Sequence, residues 1–223
     1  MRAAIFDLDG TILDSMGVWE WVDEVFFRRR GMELPADYGD AVAGMNFYRT
    51  ACYTVEHYGL PETPEALMAE WHELAFEAYR DQVRPKPCVP EYLRALKARG
   101  VKLALATASE ERLYRAALAR DGLMELFDAV ALVDEVPRGK EFPDVYELAA
   151  RRLGETAQDC VVFEDLPLAV RGAQKGGFYT VGVADAYAQA QREELIRTAD
   201  RFVEGFDVLL AELESTSMDI CGK

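Results

Sequence analysis

The apolar positions of this 223-residue chain fall into two textures. Residues 1–14 and 86–223 alternate short apolar runs with amphipathic stretches. The runs are Ala3 to Phe6, Leu103 to Ala106, Ala129 to Val133, Val161 to Phe163 and Thr180 to Val183. Each is too short for a core helix, and several are rich in Val and Ile, so they predict buried strands. The stretches between them carry helix punctuation. Pro90 and Pro143 suit first turns, and Gly100, Gly122 and Gly154 suit stops. Strands alternating with helices predict an α/β core with a parallel sheet. Residues 15–85 differ: they show no strand pattern and several helical ones. Val18, Trp21, Val22, Val25 and Phe26 mark one apolar face, and Leu67, Trp71, Leu74, Ala75 and Ala78 another. This segment is expected to be an all-α insert that leaves the sheet after the first strand. It returns near Arg84-Pro85-Lys86-Pro87, where two prolines stiffen the chain. The tail after Leu213 is polar and is expected to fray.

Composition narrows the function classes. Half of the residues are hydrophobic and 29% are charged, an ordinary balance for a globular protein, but the formal net charge is -15. Such a field disfavours nucleic acid and anionic membranes as partners, and an anionic substrate would need a local cation. The four cysteines, Cys52, Cys88, Cys160 and Cys221, show no C-x-x-C spacing and read as thiols in a reducing compartment. His57 and His72 lie far from the other motifs, which speaks against a histidine metal site or a Ser-His-Asp triad. No signal peptide pattern opens the chain, and no apolar run approaches the ~20 residues of a membrane span. The expectation is a cytoplasmic protein, by default a monomer.

Four features stand at predicted strand ends. The first strand runs into Asp7-Leu8-Asp9-Gly10-Thr11, placing two carboxylates at the edge where open α/β sheets bind ligands. Alone, this could be an ordinary acidic turn. Leu103 to Ala106 runs into Thr107-Ala108-Ser109, whose hydroxyls and amides suit an anion but equally a plain helix cap. Lys140 precedes the helix at Pro143, and Val161 to Phe163 runs into Glu164-Asp165. A cluster of carboxylates without His or Cys suits a hard, oxygen-seeking ion such as Mg²⁺.

Taken in order, Asp7-Leu8-Asp9-Gly10-Thr11, Thr107, Lys140 and Glu164-Asp165 resemble the four motifs of the haloacid dehalogenase superfamily, in its phosphatase and β-phosphoglucomutase-like branch. The resemblance spans the chain. It implies a Rossmann-like core of residues 1–14 and 86–223, with residues 15–85 as a helical cap domain of the C1 type. It also implies a Mg²⁺-dependent phosphatase acting on a small phosphorylated metabolite. By similarity, Asp7 is the nucleophile that becomes an aspartyl-phosphate. Asp9 is the general acid and base, and its backbone carbonyl joins Asp7 and Asp165 at the metal, with Glu164 as a neighbour or water-mediated partner. Thr107, Ala108, Ser109 and Lys140 are implied to bind the phosphoryl group, with Lys140 also holding Asp7. The presence of Asp9 favours a phosphate ester over a halide, which leaves without a proton.

Against the mutase pattern, the first cap helix carries Trp19 and Trp21 but no histidine, Phe47 in Gly44-Met45-Asn46-Phe47 replaces an arginine, and Glu110 replaces a lysine. The insert has no lysine, which also disfavours phosphonoacetaldehyde hydrolase. Arg49 and Arg80 are its candidate substrate contacts, although a solvated arginine is the simpler reading of both. Leu166 and Ala169 stand where many relatives have Ser and Gly, and Glu141-Phe142 follows Lys140 in place of Pro-Ala. The alternatives to a phosphatase are a β-phosphoglucomutase-like phosphosugar mutase and a non-catalytic binding protein on the same fold.

Overall fold

Ala3–Phe6 forms strand β1, and all four of its side chains are buried, as a strand covered on both faces requires. The computed structural model describes residues 1–42 and 45–218; Gly44 and Cys221, noted above, lie outside them. The remaining strands are β2 (Leu13–Asp14), β3 (Arg84–Pro85), β4 (Lys102–Thr107), β5 (Ala129–Leu132), β6 (Cys160–Glu164), β7 (Tyr179–Val183) and β8 (Arg201–Val203). Five of these join β1 in a parallel sheet of order β5-β4-β1-β6-β7-β8. The five apolar runs are its five longer strands. The sixth, β8, is a three-residue Arg-Phe-Val segment with no apolar run to signal it.

The helices are α1 (Val18–Arg29), α2 (Tyr38–Val42), α3 (Phe47–Tyr58), α4 (Pro64–Asp81), α5 (Val89–Ala98), α6 (Glu111–Arg120), α7 (Asp144–Leu153), α8 (Pro167–Lys175), α9 (Arg192–Thr198) and α10 (Phe206–Met218). Helix α5 carries Pro90 in its first turn, and α7 stops at Gly154 in a left-handed conformation that glycine adopts without strain. Helix α10 runs through the polar stretch after Leu213 as far as Met218.

The two faces of the sheet are packed differently. On one, Phe6 stacks on Phe163 at 4.5 Å, and Tyr92 of α5 and Phe206 of α10 close the aromatic cluster. On the other, small residues Ala3, Ala104, Ala106 and Ala131 meet α7 through Tyr146, Ala149 and Ala150. Small side chains on both partners let α7 approach the strands closely enough for Tyr146 to reach the sheet's carboxyl edge.

The chain divides into two compact units, one of Met1–Met16 with the residues from Val83 onward, the other Gly17–Gln82. Within the first, β2 pairs antiparallel with β3, so Leu13 faces Pro85 and Asp14 faces Arg84. Arg84–Pro85 thus corrects the expectation of a strandless 15–85: two residues, one a proline, leave no alternation to read. In the second unit Leu67, Trp71, Leu74, Ala75 and Ala78 of α4 are buried as the pattern predicts. On α1 the buried face is Val18, Val22, Val25, Phe26 and Phe27, with Trp21 only half-buried. Phe26, Phe27, Tyr38 and Trp71 interlock edge to face, and the buried Tyr38 hydroxyl pairs with Thr54 Oγ1 at 2.8 Å.

Candidate active site

The register of three strands assembles the site. Phe6 of β1 is level with Leu105 of β4 and Phe163 of β6. The chain one step further therefore brings Asp7 beside Glu164, with Thr107 ending β4 on the other side. The Asp7 amide donates to the Phe163 carbonyl at 3.0 Å, extending the ladder past the strand and fixing the Asp7 backbone. Lys140 comes in from the segment between β5 and α7. A cavity of about 230 Å³ opens here, lined by Asp7, Asp9, Thr107, Ala108, Lys140, Glu164 and Asp165, with Met16, Leu166, Leu168 and Ala169 as an apolar wall.

Of the site residues drawn from the four motifs, all except Ser109 line this cavity. The Ser109 amide donates to Thr107 Oγ1 at 2.9 Å, so it orients the threonine hydroxyl. Helix α6 is entered through Glu110, and neither Thr107 nor Ser109 caps it. Arg49 and Arg80 belong to the other unit. Arg49 is exposed, and Arg80 makes a two-pronged pair with Asp81 at 2.9 and 2.6 Å.

Charge is concentrated and short of compensation. Asp7, Glu164 and Asp165 are 6%, 1% and 2% exposed, and each offers a carboxylate oxygen within 4.8 Å of the others. Lys140 Nζ bridges Asp7 Oδ1 and Glu164 Oε1, the latter at 2.8 Å. Burial and then the Asp7 charge push Asp165 well above the usual carboxylate range; burial does the same to Glu164, with Lys140 partly opposing it. Burial lowers the Lys140 pKa, but Asp7 and Glu164 outweigh it and hold the ammonium charged. Glu164 Oε2 and Asp165 Oδ2 are buried with no hydrogen-bond partner. Carboxylate oxygens left without a partner at this depth are costly unless a cation joins them. Three hard oxygen donors fit an ion such as Mg²⁺, and among the described residues no His or Cys joins the group. The Asp9 carboxylate is outside this trio and accepts from Ser15 Oγ at 2.6 Å.

Gly10 is required by closeness as well as by backbone. Its φ is +83°, and a Cβ there would stand 2.4 Å from Asp165 Oδ2. Three contributors escaped the sequence reading. Ser15 holds Asp9, and the buried Tyr146 hydroxyl donates to Glu164 Oε1 at 2.7 Å. Lys86 Nζ ties the Gly10 carbonyl to the Ala184 carbonyl and Asp185 Oδ2, the last two at 2.9 and 2.8 Å. A tyrosine on an apolar helix face and a lysine near a proline carry no signal for such roles; both depend on elements distant in sequence.

Residues 1–177 match the family model for haloacid dehalogenase-like hydrolases. The fructose-1-phosphate phosphatase YqaB of Escherichia coli K12 is 32% identical over 179 residues, covering 80% of this chain and 94% of that protein. A phosphorylated carbohydrates phosphatase of Thermotoga maritima is 30% identical over 186 residues, 79% of this chain and 82% of its own. Among solved structures, a putative beta-phosphoglucomutase from Thermotoga maritima superposes with a TM-score of 0.82 at 25% identity, covering 99% of this chain and all of the other. Among the described residues, no helix is long and apolar enough to cross a membrane.

Proposed function

Since the chain belongs to the haloacid dehalogenase-like hydrolase family, we propose that it is a Mg²⁺-dependent phosphatase, hydrolysing the phosphate monoester of a small metabolite through an aspartyl-phosphate. The observation that carries this reading is the buried trio Asp7, Glu164 and Asp165, with two orphaned oxygens, beside Lys140. Asp7 attacks phosphorus while Asp9 protonates the departing ester oxygen. Asp9 then takes a proton from the water that attacks the phosphoryl group, releasing phosphate and restoring Asp7. Ser15 keeps the Asp9 carboxyl aimed, and Lys140 with the Thr107 hydroxyl neutralises and orients the phosphoryl oxygens. Mg²⁺, held by Asp7 and Asp165 with Glu164, would offset the repulsion between two anions.

The unit Gly17–Gln82 serves in this reading as the cap that selects substrate. The resemblance in fold to a mutase favours a second reading, phosphosugar mutase. However, the stretch from Gly17 to Gln82 has no lysine, and Arg29, Arg30 and Arg80 are paired with carboxylates. A second phosphate would find poor support there. The names of the two phosphatase relatives make sugar phosphates the first substrates to test.

The purified protein is expected to hydrolyse p-nitrophenyl phosphate in Mg²⁺ and to lose activity in EDTA. Asp7→Asn should abolish turnover, by about 10⁴-fold or more if the nucleophile acts as in other covalent hydrolases. Activity in Asp7→Asn equal to that of the wild-type protein would refute the assignment. Conversion of β-glucose 1-phosphate that depends on a bisphosphate primer would favour the mutase.

A further inference from the structure

Glu164 is held at one oxygen only. Its Oε1 accepts from the Tyr146 hydroxyl at 2.7 Å and from Lys140 Nζ at 2.8 Å, while the buried Oε2 has no partner. The two donors differ. Lys140 divides itself between Asp7 and Glu164. Tyr146 is wholly buried on α7 and reaches Glu164 across a face of small residues, Ala104, Ala106 and Ala131, with its ring edge to face with Phe178.

Glu164 ends β6 on the same sheet face as Val162 and Cys160, directly over α7. Without a donor from below, its side chain would be free to take up other staggered rotamers. A hydroxyl fixed to Oε1 removes that freedom and leaves Oε2 as the only unengaged oxygen.

We propose that Tyr146 is a positioning residue for the divalent cation: by anchoring Oε1 of Glu164 it presents Oε2, directly or through a water, to the ion shared with Asp7 and Asp165. The inference rests on the metal-dependent reading above and adds to it a residue that the motifs do not contain. Partners of this kind behind metal-binding side chains affect affinity by roughly 10–100-fold.

The test is isothermal titration of Mg²⁺ into metal-free wild-type protein and Tyr146→Phe, which removes one oxygen and keeps the ring. The Kd of Tyr146→Phe should rise about 10-fold, while kcat at saturating Mg²⁺ and KM for p-nitrophenyl phosphate move far less. Circular dichroism melts of the metal-free proteins check that the variant is folded. In Glu164→Gln, adding Tyr146→Phe should weaken Mg²⁺ binding no further, because the tyrosine acts through that carboxylate. An unchanged Kd in Tyr146→Phe, or an equal loss in the Glu164→Gln background, overturns the inference while leaving the phosphatase reading intact. So does a lowered kcat at saturating metal without a change in Kd. Failure of the wild-type protein to bind Mg²⁺ saturably would remove the metal assignment and this inference with it.

Discussion

Gly10 shows how much one atom can decide at the residue scale. The Asp7-Leu8-Asp9 segment must turn within one residue of Asp9, and Asp165 must approach the turning backbone. A methyl group at position 10 would collide with Asp165 Oδ2 and would sit at a φ of +83°, a left-handed conformation costing an alanine about 1–2 kcal/mol. The chain can relieve the collision by moving Asp165 or by moving the Asp9 loop. Both displace a group that the proposed chemistry uses. Gly10→Ala is therefore expected to lower kcat/KM by about 100-fold, the order expected for a 1 Å misplacement, with a smaller effect on the melting temperature. Kinetics with Mg²⁺ and p-nitrophenyl phosphate measure it, and near-wild-type activity would show that the close approach is not needed.

At the scale of elements, the helical unit contains a pH-dependent weakness. Asp23 lies on α1, and burial followed by the charge of Glu20 raises its carboxyl from 3.8 to about 7. The raised value means that the folded chain binds the proton more tightly than the unfolded one. Between pH ~4 and ~7 the native state holds the extra proton, so stability falls as pH rises through that window and levels off above it. Asp23→Asn removes the titration. Thermal melts should show the wild-type midpoint dropping from pH 4.5 to pH 7.5 relative to the variant, with the variant more stable at the upper end; parallel pH profiles would contradict this. On the core side, α7 illustrates the reverse effect, a helix whose packing against small residues lets one polar group, Tyr146 Oη, find a buried partner.

On the scale of the whole molecule, the net charge of -15 opposes the approach of an anionic ester. Lys140 and a bound cation act at short range, within a buried site that salt hardly screens. The long-range field is screened, its reach shrinking from ~30 Å at 0.01 M to ~8 Å at 0.15 M salt. With Mg²⁺ held constant, kcat/KM for a phosphate monoester should thus rise as ionic strength increases over that range, chiefly through KM. A fall would mean that the potential around the cavity mouth is positive despite the total charge.

The sequence by itself determined the five longer strands of the sheet and which polar residues stand at their ends. Ala3–Phe6, Lys102–Thr107 and Cys160–Glu164 are apolar runs whose burial follows from composition, and Asp7, Thr107 and Glu164 sit at or just past their last residues. Both are local properties, legible because a buried parallel strand needs an uninterrupted apolar run. What tertiary structure alone decided are the contacts between elements far apart in the chain. It put Lys86 on the Gly10 carbonyl 76 residues away and set Tyr146 under Glu164. Strand register and helix packing fix those distances, and no local pattern encodes either, because a tyrosine or a lysine looks the same in sequence whether its polar end meets solvent or a buried carboxylate.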